Sequence, residues 1–258
     1  MINVIATRWR QGHRTAAYPK TPPTLPERFL GRPELTAGLQ AGACRAALAA
    51  CPVGALQAEA GIGAAAPVTL DLGRCLFCGA CAQASPKAVR FTRDHRLAAR
   101  RREDLVVRPG AAAGPAAAAL DAAARRLFGH SLKLRQVCAG GCGACEADTN
   151  VLGTLVFDLG RFGIQFVASP RHADGLLVTG PVTENMRAAL LDTYEAVPDP
   201  KLVIAVGACA IAGGPFRDHP ETHHGIGNLL PVDLFVPGCP PHPYTILDGL
   251  LRLLGRIK

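Results

Sequence analysis

The positions of ten cysteines constrain this chain of 258 residues more than any other feature of its sequence. One set lies in the first third of the chain, and the other is spread over the second half. The first ten residues do not resemble a secretory signal, because their apolar residues precede the arginines instead of following them. Disulfide bonds are rare in proteins that are not exported. The sequence therefore predicts that most of the cysteines bind metal rather than pair with one another.

The amino-terminal cysteines fit one complete cluster-binding motif and one incomplete motif. A bacterial two-cluster ferredoxin repeats the pattern C-x2-C-x2-C-x3-C-P, and the fourth cysteine of each repeat binds the cluster of the other repeat. In this chain the second repeat keeps its first three cysteines, and the first repeat keeps its fourth, which is followed by Pro52. The other site has lost three of its four ligands. We therefore predict one 4Fe–4S cluster, bound by Cys51, Cys75, Cys78 and Cys81.

Zinc is the alternative metal that the same four thiols could bind. Zinc sites of this kind usually pair two C-x2-C units, whereas here three ligands cluster and one stands apart. The spacing favours the iron–sulfur interpretation. Cys44 lies outside the set, and we expect it to be a small core residue.

The segment around these cysteines resembles the ferredoxin-type iron–sulfur subunit of formate hydrogenlyase-like complexes, which is similar to the eight-iron subunit of respiratory complex I. The resemblance rests on GHRT at 12–15, YP at 18–19, LPERF at 25–29, GRPE at 31–34 and CPVGAL at 51–56. That family has two clusters, and this chain departs from it by the loss of one ligand set.

After residue 129 the pattern changes to short apolar strands that alternate with helices. We predict strands at 131–137, 163–168, 175–179, 202–206 and 234–236, and helices at 150–159, 184–194 and 244–254. Such alternation is typical of a parallel sheet covered on both faces, and ligands bind beyond the carboxyl ends of its strands. Four more cysteines follow three of these strands: Cys142, Cys145, Cys209 and Cys239. The sequence predicts that they converge at one edge of the sheet.

This second half resembles the small subunit of the membrane-bound, energy-converting nickel–iron hydrogenases, and it is similar to the 20-kDa subunit of complex I. The motifs that carry the resemblance are the C-x2-C-E stretch, RFG at 161–163, ASPRHAD at 168–174, TGPVT at 179–183, GAC at 207–209 and GCPP at 238–241. The resemblance implies that the same four cysteines hold a proximal 4Fe–4S cluster beside the active site of a large subunit. The complex I subunit has two adjacent cysteines at the first position, so the spacing of Cys142 and Cys145 favours the hydrogenase side. The related group usually has Glu where this chain has Asp148.

Several other residues are weaker candidates. Cys138 is a fifth thiol near the second set, and we expect it to be a buried small residue. Glu146 and Asp148 could tune the cluster, carry protons or cap a helix. His219, His223 and His224 fit solvated loop histidines better than metal ligands.

The first 130 residues carry 18 basic and 8 acidic side chains. Nucleic acid, anionic lipid headgroups or an acidic protein could meet such a surface, but a solvated arginine-rich surface explains it as well. No series of aromatic residues accompanies the arginines, so we expect no nucleic-acid partner.

We therefore predict an α/β protein with three parts. An extended proline-rich arm and a ferredoxin-like α+β domain occupy residues 1–108, an Ala/Gly/Pro-rich linker with a short helix from 116 to 128 occupies 109–130, and a flavodoxin-like parallel-sheet α/β domain occupies 131–258.

The two resemblances together imply the electron-transfer subunit of a multi-subunit hydrogenase-like oxidoreductase, with two 4Fe–4S clusters and no catalytic residue of its own. Its partners would be a catalytic large subunit and other electron-carrying and membrane subunits, at the cytoplasmic face of the cytoplasmic membrane. A complex I-like, quinone-reducing complex is the first alternative, and a zinc-bearing or nucleic-acid-binding adaptor is the second. No apolar run reaches the roughly 18 residues of a membrane span, so we expect none.

Overall fold

The structure is a computed structural model, and it describes residues 2–38, 42, 44–58, 67–110 and 117–257. The α-helices in these residues are α1 (Ile2–Gln11), α2 (Arg45–Ala49), α3 (Ala80–Ala84), α4 (Ala122–Phe128), α5 (Ala144–Val151), α6 (Glu184–Glu195), α7 (Ala208–Ala212) and α8 (Pro243–Leu253). The strands are β1 (Pro33–Leu35), β2 (Leu56–Ala58), β3 (Val68–Asp71), β4 (Val89–Phe91), β5 (Val106–Val107), β6 (Leu132–Cys138), β7 (Ile164–Phe166), β8 (Gly175–Thr179), β9 (Leu202–Val206) and β10 (Leu234–Val236).

A five-stranded sheet, parallel throughout, forms the framework of the second half. Its strands lie in the order β10-β9-β8-β6-β7, and every neighbouring pair is parallel. This confirms the predicted parallel sheet, and the order is that of flavodoxin-like folds. Strands β8, β9 and β10 are buried at every position, which explains why their sequences are continuous apolar runs. The order reverses between β6 and β8, and a crevice opens there beyond their carboxyl ends.

Small antiparallel sheets and short helices make up the first half. Strand β1 pairs with β4, and β3 pairs with both β2 and β5. The helices α2 and α3 have five residues each and contact one another. Each helix is followed within a few residues by a strand, so the two cysteine segments occupy equivalent places in the chain.

The two halves are joined by backbone hydrogen bonds at the edge of the parallel sheet. The amide of Ala99 donates to the carbonyl of Phe235 at 3.0 Å, and the amide of Phe235 donates to the carbonyl of Ala99 at 2.8 Å. One of the two main clusters of buried side chains runs from the first half to one face of the sheet, through Leu105, Ile211 and Val203. The other face is covered by α8 and by Tyr18 and Leu25 of the arm.

The arm is packed against the rest of the chain, whereas its proline-rich sequence predicted only an extended segment. Residues 12–32 have no regular secondary structure, but Tyr18 and Leu25 are buried. The Tyr18 hydroxyl donates to Asp248 Oδ1 at 2.6 Å. The prolines exclude a helix here, yet they leave the side chains between them able to pack.

Two helix predictions need correction, and one helix was missed. The helix predicted at 150–159 instead covers Ala144–Val151, because Gly143 adopts a left-handed conformation and allows the helix to begin inside the glycine-rich cysteine segment. The helix of the linker begins at Ala122, where the Asp121 side chain accepts a hydrogen bond from the Ala124 amide. Residues 111–116 of the linker lie outside the described residues. Helix α1 was not predicted.

No described helix is both long and apolar enough to cross a membrane.

Candidate functional site

The four predicted amino-terminal ligands line a single small cavity. Cys51 follows α2, Cys75 and Cys78 lie in the loop after β3, and Cys81 is in α3. Leu56, Leu70 and Phe91 complete the apolar lining. The structure therefore brings Cys51 to the Cys75–Cys81 loop, as the cross-binding pattern of a two-cluster ferredoxin requires.

Backbone amides point at two of these sulfurs. The Ala55 amide donates to Cys51 Sγ at 3.1 Å, and the Phe77 amide donates to Cys75 Sγ at 3.3 Å. Burial, helped by the neighbouring Cys81, Cys51 and Cys78 and opposed by the Phe77 amide, raises the pKa of Cys75 to about 12. Burial likewise raises the pKa of Cys81, together with Cys51 and Cys78. These thiols would ionise at neutral pH only beside a bound cation.

The four predicted carboxy-terminal ligands gather at the carboxyl edge of the parallel sheet. Cys142 and Cys145 lie where β6 leads into α5, Cys209 lies in α7 after β9, and Cys239 follows β10. Burial, then the charges of Cys239 and Cys142, raises the pKa of Cys209 to about 12. Cys145 is shifted in the same direction by burial and by Cys209, Cys239 and Cys142. The Ala208 amide donates to the Gly238 carbonyl at 2.8 Å, so the segments that carry Cys209 and Cys239 lie side by side.

Two glycines make room around these sulfurs. A Cβ on Gly207, whose φ is +93°, would lie 2.5 Å from Cys145 Sγ. A Cβ on Gly214, whose φ is +54°, would lie 2.7 Å from Cys209 Sγ. Any other residue at either position would push a ligand sulfur out of place. Gly214 was not among the sequence candidates, although the Gly-Gly-Pro run after Cys209 was a signal for it.

The two cysteine sets are neighbours in space. The charge of Cys78 in the first set contributes to raising the pKa of Cys239 in the second, after burial and Cys142. Leu76 and Phe77 of the first cysteine loop face Gly238 and Cys239 across one cavity. The carboxyl edge of the sheet therefore meets the first cysteine loop directly.

The donors present fit iron–sulfur clusters in their chemistry. Each set has four thiols, buried or partly buried apolar surroundings, and either amides that donate to sulfur or glycines that make space. In the described part of the chain, no three His, Cys, Asp or Glu side chains are close enough together to hold a single metal ion. A cube of four irons takes one thiolate at each iron, so its ligands stand further apart than those of one zinc ion.

Glu146 is held by neighbours rather than used as a helix cap. Its carboxylate accepts hydrogen bonds from the Thr179 hydroxyl and the Cys138 thiol. Burial alone would raise the pKa of Glu146, but these bonds and its backbone hydrogen bond lower it below the ordinary value. Cys138 is exposed, so the prediction that it is buried was wrong: its position in β6 faces outward. Cys44 is fully buried, as predicted.

The remaining candidates are Asp148 and the three loop histidines. Burial raises the pKa of Asp148, which lines the cavity between the two cysteine sets. His223 pairs with Glu184 at 2.5 Å, and the ring of His219 accepts a hydrogen bond from the Glu221 amide. His219 and His223 are therefore engaged locally.

Comparison with known proteins places the second half in a family. The family model described as NADH ubiquinone oxidoreductase, 20 Kd subunit, matches residues 142–253, a range that includes all four carboxy-terminal cysteines.

Three curated relatives illustrate the similarity. A probable membrane-bound hydrogenase subunit of Pyrococcus furiosus is 43% identical over 132 residues, which cover 51% of this chain and 79% of the relative. Formate hydrogenlyase subunit 7 of Escherichia coli is 40% identical over 141 residues, covering 55% of each chain. An NADH-quinone oxidoreductase subunit of Heliobacterium modesticaldum is 41% identical over 121 residues, covering 46% of this chain and 69% of the relative.

The parallel sheet, the cysteines at its carboxyl edge and these identities agree. The chain belongs to the family of the 20-kDa subunit of NADH ubiquinone oxidoreductase, a family of oxidoreductase subunits that includes relatives from hydrogenases.

Proposed function

We propose that the chain is the electron-transfer subunit of a hydrogenase-like oxidoreductase complex and relays single electrons through two 4Fe–4S clusters. Cys51, Cys75, Cys78 and Cys81 would hold one cluster, and Cys142, Cys145, Cys209 and Cys239 would hold the other. Bound clusters supply one-electron redox chemistry at potentials set by burial and by hydrogen bonds to sulfur.

The observation that carries this proposal is the single cavity that Leu76 and Phe77 of the first cysteine loop line together with Cys239 of the second set. A relay needs its redox centres close together, and this cavity brings the two cysteine segments side by side. The chain's own contribution is to fix the spacing of the two cysteine sets, to bury part of their thiols and to donate amides to sulfur.

The division of the chain belongs to the same proposal. A ferredoxin-like α+β domain at 1–108 is supported by the equivalent positions of α2 and α3 and by the antiparallel pairing of their neighbouring strands. The linker at 109–130 would lead to the domain at 131–258. Fusion of the two parts fixes one cluster relative to the other.

The partner would be a catalytic large subunit that meets the carboxyl edge of the sheet. Cys142 is exposed there, so a partner could cover it. Hydrogenase and complex I relatives are about equally similar, and the C-x2-C spacing favours the hydrogenase. We propose a peripheral position on the cytoplasmic face of the membrane, through the complex. Isolation of the complex and identification of its large subunit would decide between nickel–iron and quinone chemistry.

Iron and sulfide content of the anaerobically purified chain tests the clusters. We expect about eight irons and about eight acid-labile sulfides per chain. Substituting Cys78→Ala or Cys209→Ala should each remove about half of the iron, and low-temperature spin resonance should show the loss of one signal and of its coupling to the other.

Two cysteines outside the ligand sets provide matched controls. Cys44→Ala in the first half and Cys138→Ala in the second should leave both clusters in place. Zinc in place of iron, a single cluster in the parent chain, or equal losses in the control variants would contradict the proposal.

A further inference from the structure

Helix α1 carries large apolar side chains that pack on nothing. Val4 is 72% exposed, Ile5 is 70% exposed and Trp9 is 90% exposed. Soluble surfaces seldom gather such side chains on one short element, and where they do the patch is usually a binding surface. Trp9 is also the single tryptophan of the chain.

Helix α1 is amphipathic, with apolar side chains on one face and arginines beside that face. Successive residues are turned by about 100°, so Ile5 and Trp9, four residues apart, share one face. Arg8 and Arg10 lie on either side of that face, and Arg14 follows the helix. The helix has no acidic residue. Val4 lies about 100° from Ile5 and further still from Trp9, outside the apolar face.

The arm residues that follow α1 are held by hydrogen bonds beside a second pair of exposed apolar side chains. The Ala16 amide donates to the Val156 carbonyl at 2.8 Å, and Arg161 donates to the Ala16 carbonyl at 2.8 Å. Leu155 and Val156 are themselves exposed. The helix therefore leaves the body of the protein where further apolar surface is available.

We propose that α1 is a membrane-surface anchor that binds the headgroup region of an anionic lipid bilayer. An apolar face flanked by arginines and bearing a tryptophan suits that boundary, because the arginines reach the phosphates while the face enters the acyl region. Ten residues span about 15 Å, half of a bilayer core, so the helix lies on the membrane. A second copy of this chain is a poor occupant, since two such basic helices repel. This inference does not depend on the clusters.

Vesicle binding by the full chain is the direct test. The chain should co-sediment with vesicles of equal parts phosphatidylglycerol and phosphatidylcholine, should bind pure phosphatidylcholine weakly, and should be released by salt. Because Trp9 is alone, the emission of the whole chain should move to shorter wavelength as that side chain enters the bilayer.

Matched substitutions distinguish binding through the apolar face from nonspecific hydrophobic adsorption. Ile5→Gln should weaken binding about tenfold or more, and the equally exposed Val4→Gln should change it by less than about twofold. Replacing Arg8 and Arg10 by Gln should weaken binding to anionic vesicles by about thirtyfold. The iron content of every variant should equal that of the parent, which distinguishes failure of this inference from failure of the proposed function.

Four results would overturn the inference. The chain could stay in solution with anionic vesicles, it could bind neutral vesicles equally well, or Val4→Gln could weaken binding as much as Ile5→Gln. A shift of Trp9 emission in the assembled complex without lipid would also overturn it, because another subunit would then cover the helix.

Discussion

A buried carboxylate joins the two ends of the chain. Asp248 is 1% exposed, and it accepts hydrogen bonds from the Tyr18 hydroxyl at 2.6 Å and from Arg252 Nε at 2.8 Å. A buried charge is tolerated only when it is paired and hydrogen-bonded in this way. Tyr18 is 230 positions away in sequence, so no local pattern could have predicted the pair.

Removal of this carboxylate should be costly. We expect Asp248→Ala to lower the free energy of unfolding by roughly 3–5 kcal/mol, because it leaves the Arg252 charge buried without a partner. The exposed pair of Glu34 and Arg90 is the control, and Glu34→Ala should cost less than about 1 kcal/mol. Thermal melting followed by circular dichroism measures both changes. Equal losses of stability in the two variants would show that the buried pair contributes no more to stability than the exposed pair.

His95 beside this pair should make stability depend on pH. Burial, with Arg96 and Arg252, outweighs Asp248 and Asp94 and lowers the pKa of His95 below its ordinary value. The unfolded chain then binds the proton more readily than the folded chain. Stability should be full above about pH 6.5 and should fall as the pH drops from there toward the folded pKa.

Melting midpoints at pH 8 and pH 5.5 check this expectation. The decrease on acidification should be smaller in His95→Gln than in the parent chain. An unchanged pH dependence in that variant would exclude His95 as the cause.

Spacing made the grouping of Cys51 with the Cys75–Cys81 loop predictable, because a cluster-binding motif has its cysteines at fixed intervals. The environment of an isolated thiol was not predictable in the same way. The exposure of Cys138 depends on which face of β6 is covered, and its sequence carries no sign of that.

At the scale of elements, strands were predicted better than helices. The bounds of β8, β9 and β10 agree with the sequence analysis, because strands buried on both faces must be apolar throughout. The start of α5 was missed, because a glycine-rich segment ordinarily predicts a loop. The Thr149 hydroxyl donates to the Cys145 carbonyl inside this helix, so even its polar residues are satisfied locally.

The segment that leads from β9 into α7 gives a prediction at the same scale. Gly207→Ala should lose about half of the bound iron, because the new Cβ would lie 2.5 Å from Cys145 Sγ. Gly143→Ala is the control, since Gly143 also has positive φ, +85°, but has nothing within 4 Å of the new Cβ.

Iron analysis of the two variants shows whether Gly207 is needed to leave space for the Cys145 sulfur. If Gly143→Ala loses as much iron as Gly207→Ala, backbone strain and not space for the sulfur is the cause. The first variant should retain the amino-terminal signal in spin resonance.

At the scale of the whole molecule, the two halves approach each other closely at Gly249. Gly249 lies in the middle of α8, and a Cβ there would lie 2.8 Å from the Ala98 Cβ. Glycine inside a helix costs about 1 kcal/mol relative to alanine, so its presence here is explained by the approach of the first half.

A double-mutant cycle tests this contact. Gly249→Ala should destabilise the chain despite its better helix propensity, by about 1 kcal/mol net, because overpacking outweighs the gain. Ala98→Gly in addition should restore stability to at least that of the parent. Additive effects of the two substitutions on the melting midpoint would mean that the halves do not meet here.

The hydrogen bonds between Ala99 and Phe235 cover the outer edge of the parallel sheet. Strand β10 is the outermost strand of its sheet, and an open edge of this kind invites pairing with other chains and leads to aggregation. The first half blocks that edge by occupying it. The second half, expressed without the first, would therefore present an unpaired strand edge at which copies of it could associate.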